Sequence, residues 1–162
     1  MEFRLGTNED MNKICEILKD VVKHKAHGMN WTDFYPNREV FQIDIDNEHL
    51  YVLVDKEILG VVVLNNIEDP NYKTITWKNN EEYLVIHRIF TSYNTRGKGF
   101  GRILINKSIQ IAKKNNLKSI RLDTFSENIS AQGFYKKQGF KYTGTVNLQG
   151  KPGEFYCYEL LI

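Results

Sequence analysis

The sequence predicts an α/β fold of the α+β kind, with a mixed central β-sheet of about seven strands flanked by helices on both faces. Three observations carry this. Seven short runs rich in Val, Ile, Leu, Tyr and Phe are bounded by turn residues. In the middle of the chain such runs alternate with helical stretches, as strand–helix–strand units do. Hairpin signals stand towards either end, which mixes antiparallel pairs with a parallel centre.

In order, Phe3 and Leu5 mark a first short strand, and Gly6-Thr7-Asn8 supplies turn and N-cap chemistry. Met11, Ile14, Cys15, Ile17, Leu18, Val21 and Val22 then recur at helical spacing to about Lys25. Residues 28–37 are irregular and aromatic. Residues 39–46 predict a second short helix with Val40, Phe41, Ile43 and Ile45 as its apolar side. Runs at 50–54 and 58–64, separated by Asp55-Lys56-Glu57, predict a hairpin. Residues 65–80 read as a polar loop, and 82–91 as the longest strand. Between 100 and 115, Phe100, Leu104, Ile105, Ser108, Ile109, Ile111 and Ala112 share one half of a helical wheel, opposite Arg102, Asn106, Gln110, Lys113 and Lys114. A strand at 119–124, a helix at 129–138 and a closing pair of strands at 141–146 and 155–161 complete the chain. No repeat, linker or low-complexity tract interrupts it, so one domain over 1–162 is expected.

The formal charge of +2 and pI near 8.4 are too mild for a nucleic-acid or membrane partner, which would show a concentrated basic face. No apolar run approaches the ~20 residues that cross a bilayer, and the amino terminus lacks a signal-peptide core. Cys15 and Cys157 have no metal-ligand spacing and read as buried free thiols in a reducing compartment. A cytoplasmic protein without a metal is expected.

Chemistry concentrates in Arg96-Gly97-Lys98-Gly99-Phe100-Gly101, between the longest strand and the amphipathic helix. Three glycines in five residues remove Cβ atoms where a ligand approaches the backbone. A helix start adds unpaired N–H groups and a positive dipole end, together an anion site. A P-loop is excluded because Gly99 follows Lys98 where Ser or Thr belongs. A dinucleotide fingerprint is excluded because Gly101 comes one residue early and no acidic residue follows at the right distance. A turn that merely starts a helix is the plain alternative.

A second segment, Asn128-x-x-Ala131-x-x-x-Tyr135-x-x-x-Gly139-Phe140, follows the next strand. Ala131 and Tyr135 stack on one helical face, and Gly139 suits the position past its end. Taken singly, Tyr135 is more often a core aromatic than a catalyst. The two segments together, in this order and spacing, resemble the signature motifs of the GNAT superfamily of N-acetyltransferases, over about residues 82–142.

The resemblance implies an acetyl-CoA-dependent N-acetyltransferase with the acyl-CoA N-acyltransferase fold. It places the pyrophosphate on the backbone of Arg96, Gly97, Lys98, Gly99, Phe100 and Gly101. It runs the pantetheine arm along the main chain of Ile89, Phe90 and Thr91, on a strand splayed by a bulge, with the Ile89 amide facing the thioester carbonyl. Asn128 would contact the arm, and Tyr135 would protonate the departing thiolate as general acid. Where some relatives carry a glutamate base this chain has Val85, so the base stays open among Glu81, Glu82, His87 and a path through ordered water. His87 is the chosen candidate because it shares strand parity with Ile89, although a structural histidine is the commoner case. Trp31, Phe34 and Tyr35 either wall an amine-acceptor pocket or cap the core. The acceptor is expected to be a small amine or amino-acid-like metabolite. Protein N-termini or lysines, and a non-catalytic acetyl-CoA sensor, are the alternatives. By analogy with relatives, a homodimer would form through the terminal strands, with 155–162 as an exposed edge.

Overall fold

The computed structural model describes every residue from Met1 to Ile162. In chain order it contains β1 (Glu2–Leu5), α1 (Met11–Lys23), α2 (Arg38–Asp46), β2 (Leu50–Asp55), β3 (Glu57–Asn65), β4 (Tyr83–Thr91), α3 (Phe100–Lys114), β5 (Ser119–Phe125), α4 (Ile129–Lys137), β6 (Lys141–Val146) and β7 (Phe155–Leu161). The strands form one seven-stranded sheet in the order β1-β2-β3-β4-β5-β7-β6, with helices flanking it. The β4–β5 pair is parallel, while β1–β2, β2–β3, β5–β7 and β6–β7 are antiparallel. The expected mixed sheet is present. No helix is long and apolar enough to cross a membrane.

The chain packs as two compact units. The first comprises Met1–Lys25, Trp31–Leu64 and Ile86–Ser108. Its core is built by the helical period of α1, which buries Met11, Ile14, Ile17, Leu18 and Val21, and by the run of small β-branched residues in β2 and β3. Nearly all of β3 is buried, so its sequence reads as a continuous apolar run instead of alternating. The start of α1 is fixed by Asp10, whose carboxylate accepts the Thr7 N–H at 2.8 Å and two guanidinium bonds from Arg4 at 2.7 and 2.9 Å.

Helix α2 departs from its expected apolar face. Phe41 is buried, but Ile43 is 61% exposed and Asp44 is the other buried residue. The helix is oriented by a buried ion pair of Asp44, described below, rather than by apolar periodicity alone.

The second unit comprises Ala26–Asn30, Asn65–Val85 and Ile109–Ile162. Here residues 65–80 are more than a polar loop. Tyr72, Ile75 and Trp77 are buried against Val85, Val146, Leu148, Phe155 and Cys157. Their irregular spacing gives no period for sequence reading to find. Glu159 of β7 holds this segment by accepting the Lys78 and Asn79 N–H groups at 2.9 and 3.1 Å. Arg121 of β5 lies between the Trp77 and Tyr83 rings and bonds Glu68 at 2.8 Å.

The closing hairpin folds back on itself, so β7 inserts between β5 and β6. This corrects the expected exposed edge at 155–162. The sheet edges are β1 and β6, and the pairing of β7 on both sides leaves its main chain no free edge for a second subunit. Cys157 and Cys15 are free thiols; Cys157 is buried and Cys15 half-buried. Burial pushes the Cys157 thiol up, away from the reactive thiolate form.

Candidate active site

The glycine-rich turn connects the end of β4 to α3. Gly97 and Gly99 adopt φ values of 77° and 84°, which a side chain would resist. A Cβ at either position would meet no atom within 4 Å, so the turn faces open space. Among the turn amides, those of Arg96 and Lys98 donate to Tyr93 and Thr95 carbonyls at 3.1 and 3.2 Å. The first helical bond is Ile103 N–H to Gly99 C=O at 3.1 Å, so the amides of Gly99, Phe100 and Gly101 lie ahead of the helical ladder. Such a cradle suits an anion. It also refines the expected set: the amides of Arg96 and Lys98 are already committed to the fold. The Arg96 guanidinium lies over the Tyr93 ring and donates to the His24 carbonyl at 3.1 Å.

Upstream, β4 carries His87, Ile89 and Thr91 half-buried and Phe90 buried. Arg88 stands in the left-handed region at φ 43°, a conformation typical of a strand bulge. The two-residue alternation is thereby interrupted between His87 and Ile89, which weakens the parity argument linking them. Val85, at the position of some relatives' glutamate, is fully buried among apolar side chains.

The loop before α2 disperses its three aromatics. Trp31 packs edge-on to Phe90 with ring centroids 5.6 Å apart. Phe34 is 84% exposed. The Tyr35 hydroxyl accepts from Arg88 Nη1 at 3.2 Å, while Arg88 Nε and Nη2 form a fork to Asp44 at 2.9 and 2.7 Å. The loop therefore does not present three rings as a common wall.

In the second unit, Asn128 caps α4, its side chain accepting the Ala131 N–H at 3.1 Å. The Asn128-x-x-Ala131 spacing is thus first a helix start; its amide Nδ2 stays available to a ligand. Tyr135 is buried among the Phe134, Phe140 and Tyr158 rings. Burial, and then the charge of Asp123, push its phenol well above the usual tyrosine range. Asp123, half-buried on β5, accepts a short hydrogen bond from the Tyr72 hydroxyl. Burial raises the Asp123 carboxyl, against the lowering effect of that bond.

Two groupings escaped sequence reading: Arg88–Asp44–Tyr35 and Tyr72–Asp123. The signals were charges in apolar phase, Asp44 three residues after Phe41 on α2 and Arg88 inside the longest apolar strand. Their partners lie 44 and 51 residues away in sequence, beyond any local pattern.

The family model of GNAT acetyltransferases matches residues 14–140. Over 101 residues the chain is 36% identical to N-acetylaspartate synthetase of Xenopus tropicalis, covering 62% of this chain and 33% of that protein. The chain spans between 26% and 37% of the first curated relatives it matches. A GNAT-family acetyltransferase of Streptococcus agalactiae superposes with a TM-score of 0.78 at 25% identity, over 99% of this chain and 95% of the other. The YncA protein of Salmonella typhimurium, solved with acetyl-CoA, shares the fold at a TM-score of 0.71 and 16% identity, over 99% and 93% of the two chains. Because the family match runs from α1 through both the glycine-rich turn and the Asn128–Phe140 segment, this chain belongs to the GNAT family of acetyltransferases.

Proposed function

We propose that the chain is an acetyl-CoA-dependent N-acetyltransferase, a single catalytic domain over 1–162, that acetylates the primary amine of a small molecule or amino-acid-like metabolite. The observation that carries this is the open cradle at Gly97–Gly101, with amides ahead of the α3 ladder and no atom within 4 Å of where a Cβ would stand on Gly97 or Gly99. The acetyl-CoA bound to a protein of the same fold supports the choice of anion. The relative named for N-acetylaspartate synthesis supports an amino-acid-like acceptor.

Acetyl-CoA supplies an activated acyl group and a thiolate leaving group. The amides of Gly97, Gly99, Phe100 and Gly101 hold the pyrophosphate, helped by the N-terminal dipole of α3. The main chain of Ile89, Phe90 and Thr91 aligns the pantetheine arm, and the Ile89 amide receives the charge developing on the carbonyl oxygen. Asn128 Nδ2 contacts the arm. Tyr135 delivers its proton to the departing sulfur. The environment that raises the phenol raises a buried thiolate too, so the two basicities stay comparable. An alkyl amine must lose a proton first, which costs roughly 4.6 kcal/mol at neutral pH. His87 is the base proposed for that step. Trp31, Phe34 and Tyr35 are kept as acceptor-side candidates, of which Trp31 and Tyr35 are half-buried and Phe34 is exposed.

The test is thiol release from acetyl-CoA across a panel of amino acids, polyamines, aminoglycosides and peptides with free N-termini or lysines. Rates that rise with a small amine are expected. Release driven only by peptides would transfer the acceptor to proteins, and tight acetyl-CoA binding without amine-dependent release would make the chain a sensor.

A further inference from the structure

Five non-glycine residues have positive φ: Glu48, Lys56, Glu82, Arg88 and Asn116. Four lie at element ends or turns; Arg88 alone lies inside a strand. A bulky side chain is a poor choice for the left-handed region, where Gly and Asn are favoured. The conformation therefore needs something to hold it. Arg88 has that in its side chain, which is largely buried and makes the Asp44 fork and the Tyr35 bond with all three of its nitrogens. Asp44 is itself buried on α2, and both its oxygens are used by Arg88. Swinging Arg88 into ordinary strand geometry would move its side chain off these partners and leave a buried carboxylate without its counter-charge.

The left-handed residue sets the plane of the next peptide, whose N–H belongs to Ile89. We infer that Asp44 and Tyr35, acting through Arg88, are positioning residues that aim the Ile89 amide at the acyl carbonyl. This rests on the role proposed above for Ile89. It also gives Tyr35 a task other than walling an acceptor pocket: its hydroxyl braces the guanidinium.

A purely structural ion pair and a backbone-aiming device predict different outcomes in one series. On an Asp44→Ala background, Arg88→Ala, Arg88→Asn and Arg88→Gly all remove the pair without stranding a charge. If the pair only stabilises, the left-handed peptide persists without it, and the Ile89 response to acetyl-CoA is the same in all three variants. If it holds the left-handed peptide, Gly ranks first and Asn second, since both enter that region more readily than Ala. The readout is the ¹⁵N–¹H resonance of Ile89 titrated with acetyl-CoA, alongside thiol release with the best amine of the panel. We expect the Gly variant to keep most of the wild-type Ile89 shift and the Ala variant to lose it, with turnover differing about tenfold between them. Equal shifts and rates for Ala and Gly, or Ala above Gly, would overturn the inference. Should the Ala variant fail to fold, the Asn and Gly variants give the same ordering test. In the wild type, a still Ile89 resonance beside moving Gly99 and Gly101 resonances would remove the Ile89 role and this inference with it. Immobility of all three would remove the acetyl-CoA site itself.

Discussion

Tyr135 is packed as a core aromatic, and its surroundings are compatible with the acid role proposed for it. Three rings pack around it, while its hydroxyl feels the nearby Asp123 charge. Burial and that charge push the phenol up, so it stays protonated well past neutral pH and loses its proton only above the ordinary tyrosine range. Tyr135→Phe keeps the packing and removes the proton. Turnover should fall at least about a hundredfold, with acetyl-CoA affinity within a few-fold of wild type. Stopped assays of thiol release beside calorimetric titration separate the two, and an unchanged rate would end the acid assignment. For the same reason the rate should show no alkaline limb from Tyr135 below about pH 10. The resemblance carried by the two motifs pointed to Tyr135 and Asn128. It gave no hint of Asp123, because its partner Tyr72 arrives from 51 residues away.

Helix α1 shows how much of an element is written locally. Its apolar period marks the buried face, and the Thr7–Asp10 spacing marks its start. The Arg4 guanidinium holds the Asp10 carboxyl below the usual carboxylate range, with further bonds from Thr7. A lowered carboxyl stabilises the fold above the unfolded pKa of about 3.9 and loses that contribution as pH falls through the folded value. Asp10→Asn should therefore cost about 1 kcal/mol at neutral pH. The gap to wild type should stay level above about pH 5 and close as the medium becomes more acid than about pH 4. Urea midpoints at several pH values measure it, and a gap that widens in acid would contradict the pairing. By contrast, α2 and the segment 65–80 were only half legible. Asp44 is placed by Arg88, and Tyr72 and Trp77 by strands far along the chain, so no window of sequence contained the reason for their burial.

The succession of strands along the chain was legible, and their order across the sheet was not. Alternation and turn residues gave seven strands, but nothing local distinguishes a terminal edge from a strand inserted between β5 and β6. The two compact units were likewise invisible, because β4 and α3 each run through a unit boundary, at Val85–Ile86 and Ser108–Ile109, without a break in pattern. That continuity bears on the single-domain reading. A boundary inside a strand or a helix cannot act as a linker, since opening it would break backbone bonds within one element. Unfolding should then be one cooperative transition. The chain supplies its own probes, because its two tryptophans fall one in each unit, Trp31 in the first and Trp77 in the second. Trp31→Phe and Trp77→Phe each leave one reporter. Fluorescence of the two variants should give urea transitions with the same steepness, each coinciding with the far-ultraviolet dichroism of the same variant. A Trp31 transition displaced from the dichroism curve, or two resolved steps in either variant, would mean that the units unfold separately and that the single domain must be divided.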